Sequence, residues 1–290
     1  MNRRKRISRS SGIEVKKRKV GLALDGGGGR GMAHIGVIEV LEKEKIHIDM
    51  VAGTSAGAAI GALLAQGKKV DEMKVLARSW DWKQRAQIID LALPKSGFIA
   101  GKRVKEFLKS IIGDVEFSDL KLPFACVATD VITGEEVVIN QGSVLEAVRA
   151  SISMSIIFSV AKWQSRYLVD GGLVDPVPVS VLRDMGADFI IAVNVAPRMS
   201  TRQERIYPGK NNAEEASAIK EPNILNIIMK MSAIANSQIV EASLEGADVI
   251  IEPRLAGIGL GDFSHIEECI LEGGFAAIDA VLEIKNRLAA

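Results

Sequence analysis

Gly53-Thr54-Ser55-Ala56-Gly57 places a serine between an apolar run at 48–52 and a small-residue stretch at 58–66. In that setting the G-x-S-x-G pattern reads as a sharp strand-to-helix turn. Such a turn strains the serine backbone and presents the hydroxyl to solvent. Side chains on either side would collide as the helix folds back across the strand, and Gly53 and Gly57 have none. The helix N-terminus behind Ser55 adds partial positive charge where a negative intermediate would form. The chemistry this permits is nucleophilic attack on a carbonyl. The plain alternative is a tight turn in an α/β core.

A second cluster, Asp25-Gly26-Gly27-Gly28-Gly29-Arg30-Gly31, follows the apolar run at 20–24. It satisfies G-x-G-x-x-G at Gly26, Gly28 and Gly31, which suits a dinucleotide pyrophosphate, with Asp49 placed about where a ribose-binding acid falls. Two features speak against that reading: Asp49 precedes its strand instead of ending it, and the strand ends in the serine turn. The second reading is that the glycines expose backbone N–H groups as an oxyanion hole, the preorganised donors that acyl transfer needs. A tight loop without a ligand is the third.

A nucleophilic serine needs a base. Of the three histidines, His34 and His47 lie near the ends of one helix and read as surface or packing residues. His265 completes the chain order Ser55, Asp170, His265 of α/β-hydrolases, but it opens the last helix beside Asp262 and Ser264, which serve as caps. Asp170 is the better candidate. It ends the short apolar run 167–169, and Gly171-Gly172 let the chain turn away and leave the carboxylate open at the carboxyl edge of a sheet. As a carboxylate it would act below the ~6.5 at which free histidine protonates. A turn aspartate capping its own backbone is the alternative.

The elements that must position these residues alternate. Strands are expected at 20–24, 50–52, 123–129, 136–139, 167–169, 189–195 and 249–252. Helices are expected at 31–45, 55–66, 70–80, 102–112, from 144, at 223–246 and from 265 to the end. This order predicts an α/β fold with a mainly parallel central sheet and helices on both faces. The first two strands should be adjacent and parallel, setting the glycine loop beside the serine. Residues 20–290 read as one domain, with a polar, mobile loop at about 197–221.

Charge is lopsided. Residues 1–19 carry nine Lys/Arg and one acid, Glu14, leaving 28 basic against 35 acidic residues in the rest. The tail reads as disordered and lacks the apolar core of a secretory signal. Weak attraction to an anionic membrane surface is its second reading. An acidic body gives no footprint for nucleic acid. The apolar-leaning run 51–65 is shorter than the ~20 residues of a membrane span. Cys126 and Cys269 lie in apolar segments without metal-like spacing, as reduced core residues of a cytoplasmic protein do.

Taken jointly and in this order, Asp25 to Gly31, Gly53 to Gly57 and Asp170 to Gly172 resemble the D-G-G-G-x-R-G, G-x-S-x-G and D-G-[AG] hallmarks of the patatin-like phospholipase family. The resemblance implies a Ser–Asp dyad, with Ser55 as nucleophile and Asp170 as its base. It also implies an oxyanion hole at Gly27, Gly28 and Gly29 with Arg30 beside them, a lipid ester substrate (phospholipid or lysophospholipid), and no metal or organic cofactor. One departure is visible. Ser155 and Ile156 stand where the family commonly carries Pro-Gly, so the substrate pocket should differ in shape, and Met154, Ile156, Ile157 and Phe158 suit either an apolar acyl-binding wall or a buried core. Two other function classes stay open at this point: a nucleotide-binding oxidoreductase built on the glycine loop, and a regulatory protein that uses the same fold only to bind.

Overall fold

A computed structural model describes residues 18–78, 97–153, 160–196 and 238–290. Its core is one eight-stranded sheet, built from β1 (Val20–Leu24), β2 (Met50–Thr54), β3 (Phe124–Asp130), β4 (Glu136–Ile139), β5 (Ala161–Trp163), β6 (Arg166–Asp170), β7 (Phe189–Val193) and β8 (Val249–Ile251). The order is β5-β6-β3-β2-β1-β7-β8, with β4 also paired to β3. The centre, β3-β2-β1-β7-β8, is parallel throughout, and β4, β5 and β6 add antiparallel pairings at one side. β1 and β2 are adjacent and parallel, as the sequence requires.

Alternation along the strands divides the core into two layers. Leu22, Val51, Cys126 and Ile191 point to one face, beneath α1 (Ala33–Lys43), α2 (Ala56–Ala65), α5 (Val144–Ser151) and α7 (Ile266–Ala289). On the other face, Ala192, Ala23, Ala52 and Ala125 stand in register across four neighbouring strands. This row of methyl groups lets α6 (Val179–Asp184) settle close to the sheet through Val179 and Leu182. Two further helices, α3 (Val70–Arg78) and α4 (Gly97–Ile112), follow α2 in the chain.

Several boundaries move from their expected places. The helix expected from residue 31 is preceded by a 3-10 turn, Gly28–Met32, in which the glycine loop is still turning. The strand expected to reach 195 ends at Val193, because the Val195 and Ala196 N–H groups leave the ladder for the Asp25 carboxylate. β5 and α6 were not expected. They span three and six residues, too few for a hydrophobic period, and Pro176 and Pro178 make the approach to α6 read as a loop. The expectations for residues 1–17, 79–80, 154–158, 197–221 and 223–237 lie outside the described residues. Among the described residues no helix is long and apolar enough to cross a membrane.

Candidate active site

Ser55 sits between the end of β2 and the start of α2 with φ 53° and ψ −117°, a strained backbone for a residue with a side chain. The neighbouring glycines give the turn the room it needs. A Cβ on Gly53 would overlap the Gly57 carbonyl, and one on Gly57 would overlap the Leu24 carbonyl of β1. Helix α2 therefore doubles back against two strands at backbone contact. The strained turn is pinned from below. The Ser55 N–H donates to the Ser151 hydroxyl at 2.9 Å, and that hydroxyl donates to the Val127 carbonyl at 2.6 Å. Ser151 is fully buried on α5, and sequence reasoning missed it because a serine in a helix carries no signal of its partner.

Asp170 closes β6 and meets Ser55 directly: the Ser55 hydroxyl donates to Asp170 Oδ2 at 2.6 Å. The other oxygen, Oδ1, accepts the Gly172 N–H at 2.8 Å. One oxygen thus caps the turn and the other meets the serine. Its main chain is fixed as well, by the Thr129 hydroxyl on its carbonyl at 2.8 Å and by its own N–H on the Ser153 carbonyl at 2.9 Å. Gly171 has no room for a side chain, because a Cβ would overlap the Val127 carbonyl.

The route by which Asp170 arrives differs from expectation. β6 runs antiparallel to β3, so Asp170 does not sit at the carboxyl end of a parallel strand. β3 outreaches β2: Thr54 pairs with Val127, and Asp170 pairs with Ala128, one register further on. The carboxylate therefore reaches the carboxyl edge of β2 from the far side. Burial raises its pKa from 3.8 to about 6, against the opposing effects of the Ser55 and Gly172 hydrogen bonds.

The glycine loop lies beside this pair, with Gly26 nearly touching the Ser55 side chain and Gly31 packed against Ala56 of α2. Gly27 and Gly28 have φ of 118° and 56°, open to glycine at little cost. The loop is held at three points. Asp25 is buried, and its Oδ2 accepts the Val195 and Ala196 N–H groups at 3.0 Å each, stitching the end of β1 to the end of β7. Its desolvated carboxyl is raised to about 7. The buried His34 ring donates from Nε2 to the Asp25 carbonyl at 2.8 Å, and desolvation lowers this histidine to about 4, so it is neutral. The segment 258–262 forms a strap over the top: the Gly29 N–H donates to the Leu260 carbonyl at 2.9 Å, and Arg30 Nε donates to the Ile258 carbonyl at 2.6 Å.

These contacts sort the loop's donors. The Gly26 N–H is bonded to the Pro176 carbonyl, and the Gly29 N–H and Arg30 Nε are committed to the strap. Among the described residues, the Gly27 and Gly28 N–H groups have no acceptor. The rival use of the loop loses its acid: Asp49 stands at the opposite, amino edge of the sheet, where its Oδ2 accepts the Val20 N–H at 2.8 Å. His265, not Asp262 or Ser264, stands at the N-cap position of α7, without a side-chain capping bond; its ring lies 3.0 Å from Asp262 and 3.1 Å from the Ser264 hydroxyl, and among the described residues it bonds neither Ser55 nor Asp170. His47 is exposed beside Asp49.

The sequence profile of the patatin-like phospholipase family matches residues 22–183, which include both motif glycines of the elbow, Ser55 and Asp170. An uncharacterized NTE family protein of Mycobacterium tuberculosis is 34% identical over 177 residues, covering 61% of this chain and 49% of its own length. The lysophospholipase NTE1 of Scheffersomyces stipitis is 27% identical over 265 residues, covering 86% of this chain and 17% of its own. The chain thus spans about half the length of the mycobacterial relative and a smaller share of the fungal one. Among solved structures, VipD from Legionella pneumophila shares the fold, with a TM-score of 0.54 over 92% of this chain and 67% of its own, at 14% identity.

Proposed function

This chain belongs to the patatin-like phospholipase family, and from that premise we propose that it is a serine acyl hydrolase acting on lipid esters, phospholipid or lysophospholipid, through a Ser55–Asp170 dyad. The single observation that carries the reading is the 2.6 Å hydrogen bond from the Ser55 hydroxyl to Asp170 Oδ2, made by a serine held in a strained turn. Nucleophile and base are already within proton-transfer reach, with no histidine between them.

Ser55 Oγ attacks the ester carbonyl carbon as its proton passes to Asp170 Oδ2. The carbonyl oxygen gains the negative charge, and the Gly27 and Gly28 N–H groups are the donors free to receive it. The C–O bond to the alcohol then breaks, Asp170 returns the proton to the departing oxygen, and an acyl-Ser55 remains. Water attacks this second ester, gives a proton to Asp170 and releases the fatty acid. The proton goes back to Ser55. The Gly172 N–H on Oδ1 keeps Oδ2 turned toward the serine throughout. A carboxylate raised to about 6 is a stronger base than an ordinary aspartate and is still ionised at neutral pH.

The lipid character of the substrate rests on the family and on the lysophospholipase activity named for the fungal relative. The test compares purified protein with Ser55→Ala on a lysophospholipid and on a short-chain reporter ester, alongside labelling by a fluorophosphonate. The proposal predicts hydrolysis of both esters, an adduct on Ser55, and loss of all three signals in the variant. Hydrolysis that survives Ser55→Ala would remove Ser55 from the chemistry. No adduct together with tight nucleotide binding would favour the oxidoreductase reading, and neither signal would favour a protein that only binds.

A further inference from the structure

Helix α7 buries one face and leaves the other bare. Ile266, Cys269, Ile270, Gly273, Ala277 and Ile284 are its buried positions. At Gly273 the helix meets α1 at backbone distance, since a Cβ there would overlap the Ala33 carbonyl. The opposite face carries Leu271, Phe275, Ile278 and Leu282, exposed to 60, 58, 58 and 70%. Four large apolar side chains in one line over three turns are far from the scattered single residues usual on a soluble surface.

Their spacing is four, three, four, the alternating a and d positions of a heptad, continued by Glu268 at one end and Lys285 at the other. The stripe reads the same way from both ends in size and polarity. Turned about a two-fold axis between Phe275 and Ile278, it sets Phe275 against the partner's Ile278 and Leu271 against the partner's Leu282. The same rotation sets Glu268 against the partner's Lys285, twice. We propose that this face of α7 is a dimer interface, in which two copies of this chain pair their last helices antiparallel about a two-fold axis.

Charge supports this occupant. Both end residues are exposed, and the antiparallel register brings opposite signs together, whereas a parallel pairing would face Glu268 with Glu268. Lys285 already holds Glu44 of its own chain at 2.6 Å, and an ammonium has donors to spare for a second carboxylate. Glu272 and Asp279 lie along the flank of the seam, where water screens them. Size agrees as well. Four side chains from each copy, each exposing on the order of 100 Å², bring the contact near the ~1,000 Å² expected of a specific interface. An isologous patch of this kind closes on itself and gives a dimer, not a filament.

The test is sedimentation of the full chain across micromolar concentrations, with soluble-ester turnover and far-ultraviolet circular dichroism as controls. Dimers are expected for the unaltered chain. Phe275→Glu and Ile278→Lys should each give monomers with unchanged dichroism and turnover, since both side chains face solvent and neither makes any of the site's hydrogen bonds. Glu268→Lys and Lys285→Glu should each weaken dimerisation roughly tenfold, because the two-fold repeats each loss, and the double variant should restore it. A monomer at every concentration, dimers that survive Phe275→Glu, or a double swap without rescue would each overturn the proposal. So would a monomeric protein whose binding to phosphatidylcholine vesicles falls with Phe275→Glu, which would assign the stripe to a lipid surface.

Discussion

At the scale of single residues, the chemistry turns on what burial does to one carboxylate. A free aspartate would leave the enzyme competent well into acid, which is the expectation from sequence and would set it apart from a histidine-dependent enzyme. Packing around Asp170 moves its pKa to about 6, so turnover of a soluble ester should fall as pH drops through about 6, measured as kcat/KM against pH. A midpoint near the aqueous aspartate value would mean that burial does not raise the working Asp170 carboxyl. The same shift has a consequence for stability. Folding favours the protonated form, so the contribution of Asp170 is fully present below 3.8 and is lost as pH rises through about 6. Above that pH the ionised group is a cost to the fold, and Asp170→Asn should unfold no earlier than the parent. On the proposed mechanism the base is held at this position against stability, not supported by it.

At the scale of elements, the glycine loop and the serine turn owe their places to contacts that exclude side chains. Gly28 shows this most clearly. Sequence suggests that Gly28→Ala would harm function more than stability. The structure adds a backbone φ of 56° and a Leu260 carbonyl where the new methyl would stand. The substitution should therefore lower the melting temperature and also cut kcat by about 10²-fold or more as the donors are displaced. Normal melting and normal turnover would separate this loop from the oxyanion. On the far side of the sheet, Ala52→Leu should cost about 1–3 kcal/mol in chemical denaturation, because its place in the alanine row lies under α6. The same particulars explain what sequence could and could not show. Ser55 and the glycines were legible because a positive φ or a close backbone approach restricts residue type over a few neighbours, and Asp170 was legible through the glycines that follow it. The strap at 258–262 was not legible, because it holds Gly29 and Arg30 through carbonyl groups that any residue supplies. Ser151 and His34 were missed as functional supports for a related reason, since their partners lie on other elements. The antiparallel approach of β6 was hidden because a three-residue β5 left no period to read.

At the scale of the whole molecule, the site is gathered from a long span of chain onto one edge of one sheet. The family match covers residues 22–183, yet the strap that closes the glycine loop comes from 258–262, and α7 follows directly after it. That placement sets Asp262 beside Gly29 and His265 only three residues further along. Of the three histidines, His265 is the one that completes the Ser–Asp–His chain order of an α/β-hydrolase. The direct measurement is kcat/KM on a soluble ester for Asp170→Asn and His265→Ala, with both variants shown to be folded by their melting temperatures. A Ser55–Asp170 dyad predicts a loss of about 10²–10⁴-fold for Asp170→Asn, whose amide cannot accept the serine proton, and near-normal turnover for His265→Ala. A comparable loss in His265→Ala would contradict the dyad and make the histidine the base, with Asp170 only orienting it.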